Sequence, residues 1–215
     1  MNKMIIKYLE IPEYFKFDDA AKYLPLLSDE QQTEIKRYRY EDSKLTRLFA
    51  HLLLRNEIKE QTGLTDDQIT IRRKAYGKPY LYGHDDFHFP ISHSGRQIAI
   101  AAGENAVGID IEIIKERRMK LAERFFLAEE YQYILDSDDM DEAFYYIWTR
   151  KEAYIKYTGE GLRRDLASFS TLNDKGKNRG SYRSFRTDTA MISIYSEHIT
   201  DCPIAPVHVP FSFPL

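Results

Sequence analysis

Two stretches of this chain carry the same helical design, and they limit what it can fold into. Leu48 to Leu64 reads LFAHLLLRNEIKEQTGL, and Tyr146 to Leu162 reads YIWTRKEAYIKYTGEGL. Both are amphipathic runs that end in a Gly-Leu pair, with glycine as the stop. In the first, Leu48, Leu52, Arg55 and Ile58 fall on adjacent faces of a helix expected over Leu45 to Gln61, and Gly63 ends it. The second belongs to a helix expected over Asp141 to Tyr157, which stops at Gly159. A duplicated fold and two unrelated amphipathic helices are both compatible with this echo.

The remaining segments are short. Residues 4 to 10, Ile69 to Arg72 and Ala106 to Glu112 read as strands, as do Ser168, Tyr182 to Phe185 and Met191 to Tyr195. Phe87 to Ser92 and Gln97 to Ala102 alternate around Ser94-Gly95, which predicts a hairpin. Ser28 to Tyr40 opens like a capped helix, with Gln31 three residues after Ser28. Leu121 to Phe126 and Glu129 to Leu135 are helical. A second series begins near Gly103, which divides the chain into halves 1–102 and 103–215. No Gly-, Pro- or Ser-rich linker separates them, so they are expected to pack closely.

Composition narrows the class. The 215 residues fit one large domain or two small ones, and a net charge of −3 argues against nonspecific nucleic-acid binding. The basic clusters Arg72-Arg73-Lys74, Lys115 to Lys120 and Arg163-Arg164 read as solvated faces. The single cysteine, Cys202, excludes an intrachain disulfide and suits a reducing cytoplasm. Met1 to Tyr14 resembles neither a signal peptide nor a membrane span.

Four motifs carry potential chemistry. In Val107-Gly108-Ile109-Asp110-Ile111-Glu112, strand alternation puts Asp110 and Glu112 on one face and Ile109 and Ile111 on the other. Two such acids are either solvated at a strand edge or held together by a hard cation such as Mg²⁺. In Trp148-Thr149-Arg150-Lys151-Glu152-Ala153-Tyr154-Ile155-Lys156, Glu152 and Lys156 share a helical face. They read as a surface ion pair, or as a third metal ligand or base beside a phosphate-binding ammonium. Ile91-Ser92-His93-Ser94-Gly95 can bind an anion at a strand end. Adjacent Ser and His point to opposite faces of a strand, and no GxSxG occurs, so a serine hydrolase is disfavoured. Lys78, in the turn Tyr76-Gly77-Lys78-Pro79, is either a solvated lysine or a point charge for a phosphate.

The order GKP, ISHSG, GIDIE and WTRKEAYIK resembles the surfactin-synthetase-activating type of 4'-phosphopantetheinyl transferase, over about Ser28 to Leu162. The resemblance implies an α+β fold of two similar halves related by a pseudo-twofold, with coenzyme A in the cleft between them. It implies that Asp110, Glu112 and Glu152 hold Mg²⁺ and that Lys156 contacts the pyrophosphate. Glu152 and Lys156 are then the catalytic residues. Lys78, Ser92 and His93 bind the 3'-phosphate, and Tyr76, Gly77, Lys78 and Pro79 lie along the adenine. Where the family often has arginine, nine residues before Arg55, this chain has Thr46; Arg47 is the candidate replacement. Gln31 and Glu34 stand where some members carry basic residues. The implied partner is an acyl or peptidyl carrier protein, docking through the segment after Lys156 that includes Arg163 and Arg164. Neither nucleic acid nor membrane is implied, and an internally duplicated enzyme can be complete as a monomer. The rivals are a non-catalytic binding module for coenzyme A or a carrier protein, and a Mg²⁺-dependent phosphodiesterase.

Overall fold

The computed structural model describes residues 4–73, 79–159, 164–172 and 180–211. The chain opens with β1 (Ile5–Glu10), followed by α1 (Phe17–Ala20) and a 3₁₀ turn (Ala21–Leu26). Next come α2 (Asp29–Arg37) and the long α3 (Glu41–Thr62). A small hairpin of β2 (Ile71–Arg73) and β3 (Pro79–Leu81) leads into β4 (Ile91–Ser94) and β5 (Gln97–Ala102). β6 (Gly108–Ile113) precedes α4 (Met119–Phe125), α5 (Ala128–Leu135) and the long α6 (Met140–Thr158). The chain finishes with β7 (Ser181–Arg186), β8 (Ala190–Ser196) and β9 (Val207–Val209).

Local chemistry explains the helix limits. At the start of α2 the Ser28 hydroxyl accepts from the Gln31 amide at 3.3 Å, and the Gln31 side chain accepts from the Ser28 amide at 3.2 Å. That is the reciprocal capping expected from the sequence. Both long helices end on a left-handed glycine, Gly63 at φ 71° and Gly159 at φ 72°. The strand expected near Ser168 is instead a 3₁₀ turn, Leu166–Ser168. Its residues bond locally: the Asp165 carboxylate accepts from the Ala167 amide, and the Ser168 hydroxyl donates to the Asp165 carbonyl at 2.6 Å. Such side-chain bonds compete with a strand ladder.

The strand expected from Phe87 starts only at Ile91. Pro90 has no N–H for a ladder, and the chain before it makes only an isolated bridge, His88 to Gly103.

Two main sheets result, one of four strands in the order β4-β5-β1-β9 and one of three in the order β6-β8-β7. The last strand, β9, runs parallel to β1, so the end of the described chain joins the sheet of its beginning. One core packs α3 against the first sheet through residues such as Leu45, Leu48, Leu52, Ile98 and Ile100. A second core joins Ile6, Ala99 and Ala101 of the first sheet to Ile109, Ile111, Ile192 and Ile194 of the second. The two sheets therefore share an apolar interface, and small alanines let them approach. Among the described residues, no helix is long and apolar enough to cross a membrane.

Candidate active site

The site forms where two sheet edges and a helix meet. β4 and β6 are edge strands of their sheets, and side chains join them. The Ser92 hydroxyl donates to Asp110 Oδ1 at 2.7 Å, and the Ser94 hydroxyl donates to Glu112 Oε2 at 2.6 Å. The Ile113 amide also donates to the Ser94 hydroxyl, at 3.2 Å. Strand alternation makes this possible. Ile109 and Ile111 go into the shared core, which leaves Asp110 and Glu112 on the face toward α6.

Helix α6 lies unusually close to β6 at Gly108. A Cβ there would collide with the Ala153 carbonyl and lie 2.7 Å from the Tyr157 amide nitrogen. The glycine of GIDIE is thus required for close approach rather than for a turn. That approach carries Glu152 and Lys156 to the acidic strand. The Lys156 ammonium donates to Asp110 Oδ1 at 2.6 Å and to the Ser92 hydroxyl at 2.7 Å.

Electrostatics at this junction are poised for a cation. Asp110 is 2 % exposed, and its Oδ2 is buried with no hydrogen-bond partner. Burial pushes the Glu152 carboxyl above the usual range, and the neighbouring Asp110 and Glu112 push it further. Burial and Asp110 likewise raise Glu112, against the pull of the Ser94 hydrogen bond. Three acids that feel one another, one with an orphaned oxygen, fit a hard cation. Among the described residues, however, no three His, Cys, Asp or Glu side chains are already grouped as a metal cage. The Lys156 ammonium is the protein's own cation at Asp110.

A cleft of about 940 Å³ opens beside this junction. Its walls include Gln31 of α2, Arg47, His51 and Arg55 of α3, Arg72 and Arg73 of β2, and Ile155 and Lys156 of α6. Lys156 therefore both lines the cleft and touches the Asp110 carboxylate. Arg47 Nη2 is paired with Glu34 Oε1 at 2.7 Å. His93 lies on the exposed side of β4. Partial desolvation holds its imidazole below the usual range, helped by the Arg47 and Lys156 cations. Pro79 opens β3 and lines the cleft, whereas Tyr76, Gly77 and Lys78 lie outside the described residues. Thr46 is buried and donates to the Gly95 carbonyl at 2.8 Å, pinning α3 to the turn between β4 and β5.

Arg72 and Arg73 are exposed, as their basic cluster suggests, and they also line the cleft. Lys151, whose role beside Glu152 was open, is fully buried. Its ammonium pairs with Glu130 at 2.7 Å and donates to the Leu166 and Phe169 carbonyls. Burial holds this ammonium below its usual range, against the attraction of Glu130. Glu130 also accepts from the Thr171 amide and hydroxyl, so the network ties α5 and α6 to the chain after residue 164.

Comparison with known proteins gives the family. Residues 106–208 match the model of the 4'-phosphopantetheinyl transferase superfamily, and residues 12–105 match that of a 4'-phosphopantetheinyl transferase N-terminal region. The chain is 34% identical to 4'-phosphopantetheinyl transferase Sfp of Bacillus subtilis over 155 residues, covering 71% of this chain and 69% of that protein. It is 36% identical to a 4'-phosphopantetheinyl transferase of Bacillus pumilus over 156 residues, 71% of this chain and 67% of the relative. A more distant relative is the L-aminoadipate-semialdehyde dehydrogenase-phosphopantetheinyl transferase of Candida glabrata, at 29% identity over 71% of this chain and 61% of that protein. With α+β halves, a cationic cleft between them and the acidic strand held against α6, this chain belongs to the 4'-phosphopantetheinyl transferase superfamily, in its Sfp-like branch.

Proposed function

We propose that the chain transfers the 4'-phosphopantetheine arm of coenzyme A to a serine of an apo acyl or peptidyl carrier protein, releasing 3',5'-ADP, with the junction of β4, β6 and α6 as its chemical centre. The observation that carries this reading is the meeting of Asp110, Glu112, Glu152 and Lys156 beside a cleft walled by arginines. A non-catalytic binder has no need of three mutually repelling carboxylates.

In this reading Asp110, Glu112 and Glu152 hold Mg²⁺. When bound, the cation supplies positive charge to the pyrophosphate oxygens of coenzyme A. The Lys156 ammonium, which bonds Asp110 and Ser92 and also lines the cleft, would neutralise charge developing on the phosphate. The carrier serine attacks the β-phosphorus in line. Glu152, whose carboxyl burial and neighbouring acids push upward, accepts the serine proton directly or through a water. Arg47, His93 and the Tyr76-Gly77-Lys78-Pro79 segment hold the donor's 3'-phosphate and adenine, whereas Ser92, expected from the sequence as a phosphate contact, has its hydroxyl engaged by Asp110 and Lys156. Positioning and electrostatics then account for most of the rate.

The carrier docks on the second half, where Arg164 lies over the rings of Tyr154 and Phe169, with centroid distances of 4.8 and 5.4 Å. Acidic carriers are steered to that face together with Arg163, which lies outside the described residues. The division into halves 1–102 and 103–215, the monomeric state and the cytoplasmic location belong to the same proposal, as does independence from nucleic acid and membrane.

The deciding experiment incubates the protein with coenzyme A, Mg²⁺ and a set of apo carrier proteins, read by intact mass. A gain of one phosphopantetheine, abolished by a chelator, is expected. Donor hydrolysis without any modified carrier would favour the phosphodiesterase reading.

A further inference from the structure

The donor cleft contains a carboxylate that anion binding does not call for. Glu34, on α2, lines the same cleft as Arg47, His51 and Arg73. Its Oε1 is 2.7 Å from Arg47 Nη2, and its Oε2 is 3.9 Å from His51 Nε2. One ring or guanidinium nitrogen of each partner, Arg47 Nε and His51 Nε2, is buried without a hydrogen bond. Gln31 Nε2 lies 3.0 Å from His51 Nδ1. Burial and the nearby Arg47 push the imidazole down to about 4, so it is neutral at pH 7. With Nδ1 accepting from Gln31, the proton of the neutral ring sits on Nε2, the nitrogen nearer Glu34.

We infer that Glu34 is a resident competitor for the donor's phosphate: it occupies Arg47, and an incoming phosphate group must take that guanidinium from it. The inference rests on the proposed placement of coenzyme A in this cleft. The geometry supports it in three ways. A phosphate reaching Arg47 meets the Glu34 charge at once, and two anions sharing one guanidinium repel. Glu34 is about one-third exposed at its side chain, so it can swing toward solvent. Once it does, Arg47 and the Nε2–H of His51 both face an acceptor with several oxygens. The carboxylate thus lowers donor affinity while keeping the Arg47 charge paired. It also sets how tightly the product 3',5'-ADP is held, because the same phosphate leaves with it.

The test is calorimetric titration of wild type, Glu34→Gln and Glu34→Ala with coenzyme A and with 3',5'-ADP, at low and at near-physiological salt. Removing the charge is expected to tighten binding of both ligands about fivefold at low salt, less at higher salt. Thermal melting of each variant confirms that it is folded, and the alanine variant serves if the glutamine variant is not. Unchanged or weaker binding in a folded variant would overturn the inference, because Glu34 would then be positioning Arg47 for the donor. A wild-type protein that binds neither ligand would instead sink the donor-site reading itself.

Discussion

At the scale of single residues, the site works through charge balance rather than reach. Asp110 is satisfied on one oxygen only, and Glu152 waits beside it with a carboxyl held high by burial and by its acidic neighbours. In the proposed mechanism, Glu152→Gln removes both a metal ligand and a base. Transfer should fall by about 10³-fold, with only modest loss of coenzyme A affinity. Comparing single-turnover transfer with donor titration checks this, and equal transfer in the variant would refute the role. His51 gives a separate, stability-based expectation. Its imidazole titrates near 4 in the folded protein against an ordinary value of 6.5. The unfolded chain therefore binds the extra proton first. The stabilisation is complete above pH 6.5 and is lost as pH falls toward 4, by on the order of 3 kcal/mol. Urea unfolding of wild type and His51→Gln across that range should show a flatter profile in the variant.

At the scale of elements, the junction depends on how closely α6 lies on β6. Gly108→Ala forces a methyl into the backbone of α6 at Ala153 and Tyr157. The change should cost about 3 kcal/mol or more, read as a lowered melting temperature, and should reduce transfer by parting Asp110 from Lys156. The other support of α6 is the pair of Lys151 and Glu130, both fully buried. Lys151→Met leaves the Glu130 charge uncompensated and should destabilise by about 4 kcal/mol. The double variant Lys151→Met/Glu130→Gln, which keeps an acceptor for Thr171, should recover most of that loss. A double variant no more stable than the single one would show that the ion pair is not what matters.

At the scale of the whole molecule, the ends of the described chain meet. β9 pairs with β1, and the Phe211 ring lies 4.7 Å from Phe15 and 5.3 Å from Phe49, between centroids. The first core, which supports the arginine wall of the cleft, thus includes residues from far along the sequence. Phe211→Ala should cost about 3 kcal/mol and lower the unfolding midpoint of the whole enzyme, not of one half alone. Two separate denaturation steps, with only one displaced, would show that the halves unfold independently despite their shared core of Ile6, Ala99, Ala101, Ile109 and Ile111.

The sequence by itself determined the local elements whose causes are local. The capping of α2 by Ser28 and Gln31 and the glycine stops of α3 and α6 rest on neighbours within a few residues. So does the alternation that sends Ile109 and Asp110 to opposite faces of β6. Three of the four motifs, ISHSG, GIDIE and WTRKEAYIK, meet at one junction. Only the tertiary structure decided the partners. Lys151 and Lys156 stand five residues apart on one helix, yet one is sealed against Glu130 and the other opens onto the cleft beside Asp110. Arg73 stays exposed, but only the fold puts it on the cleft wall. Those outcomes depend on contacts between residues tens of positions apart, and such contacts leave no pattern in the sequence on either side of a charge.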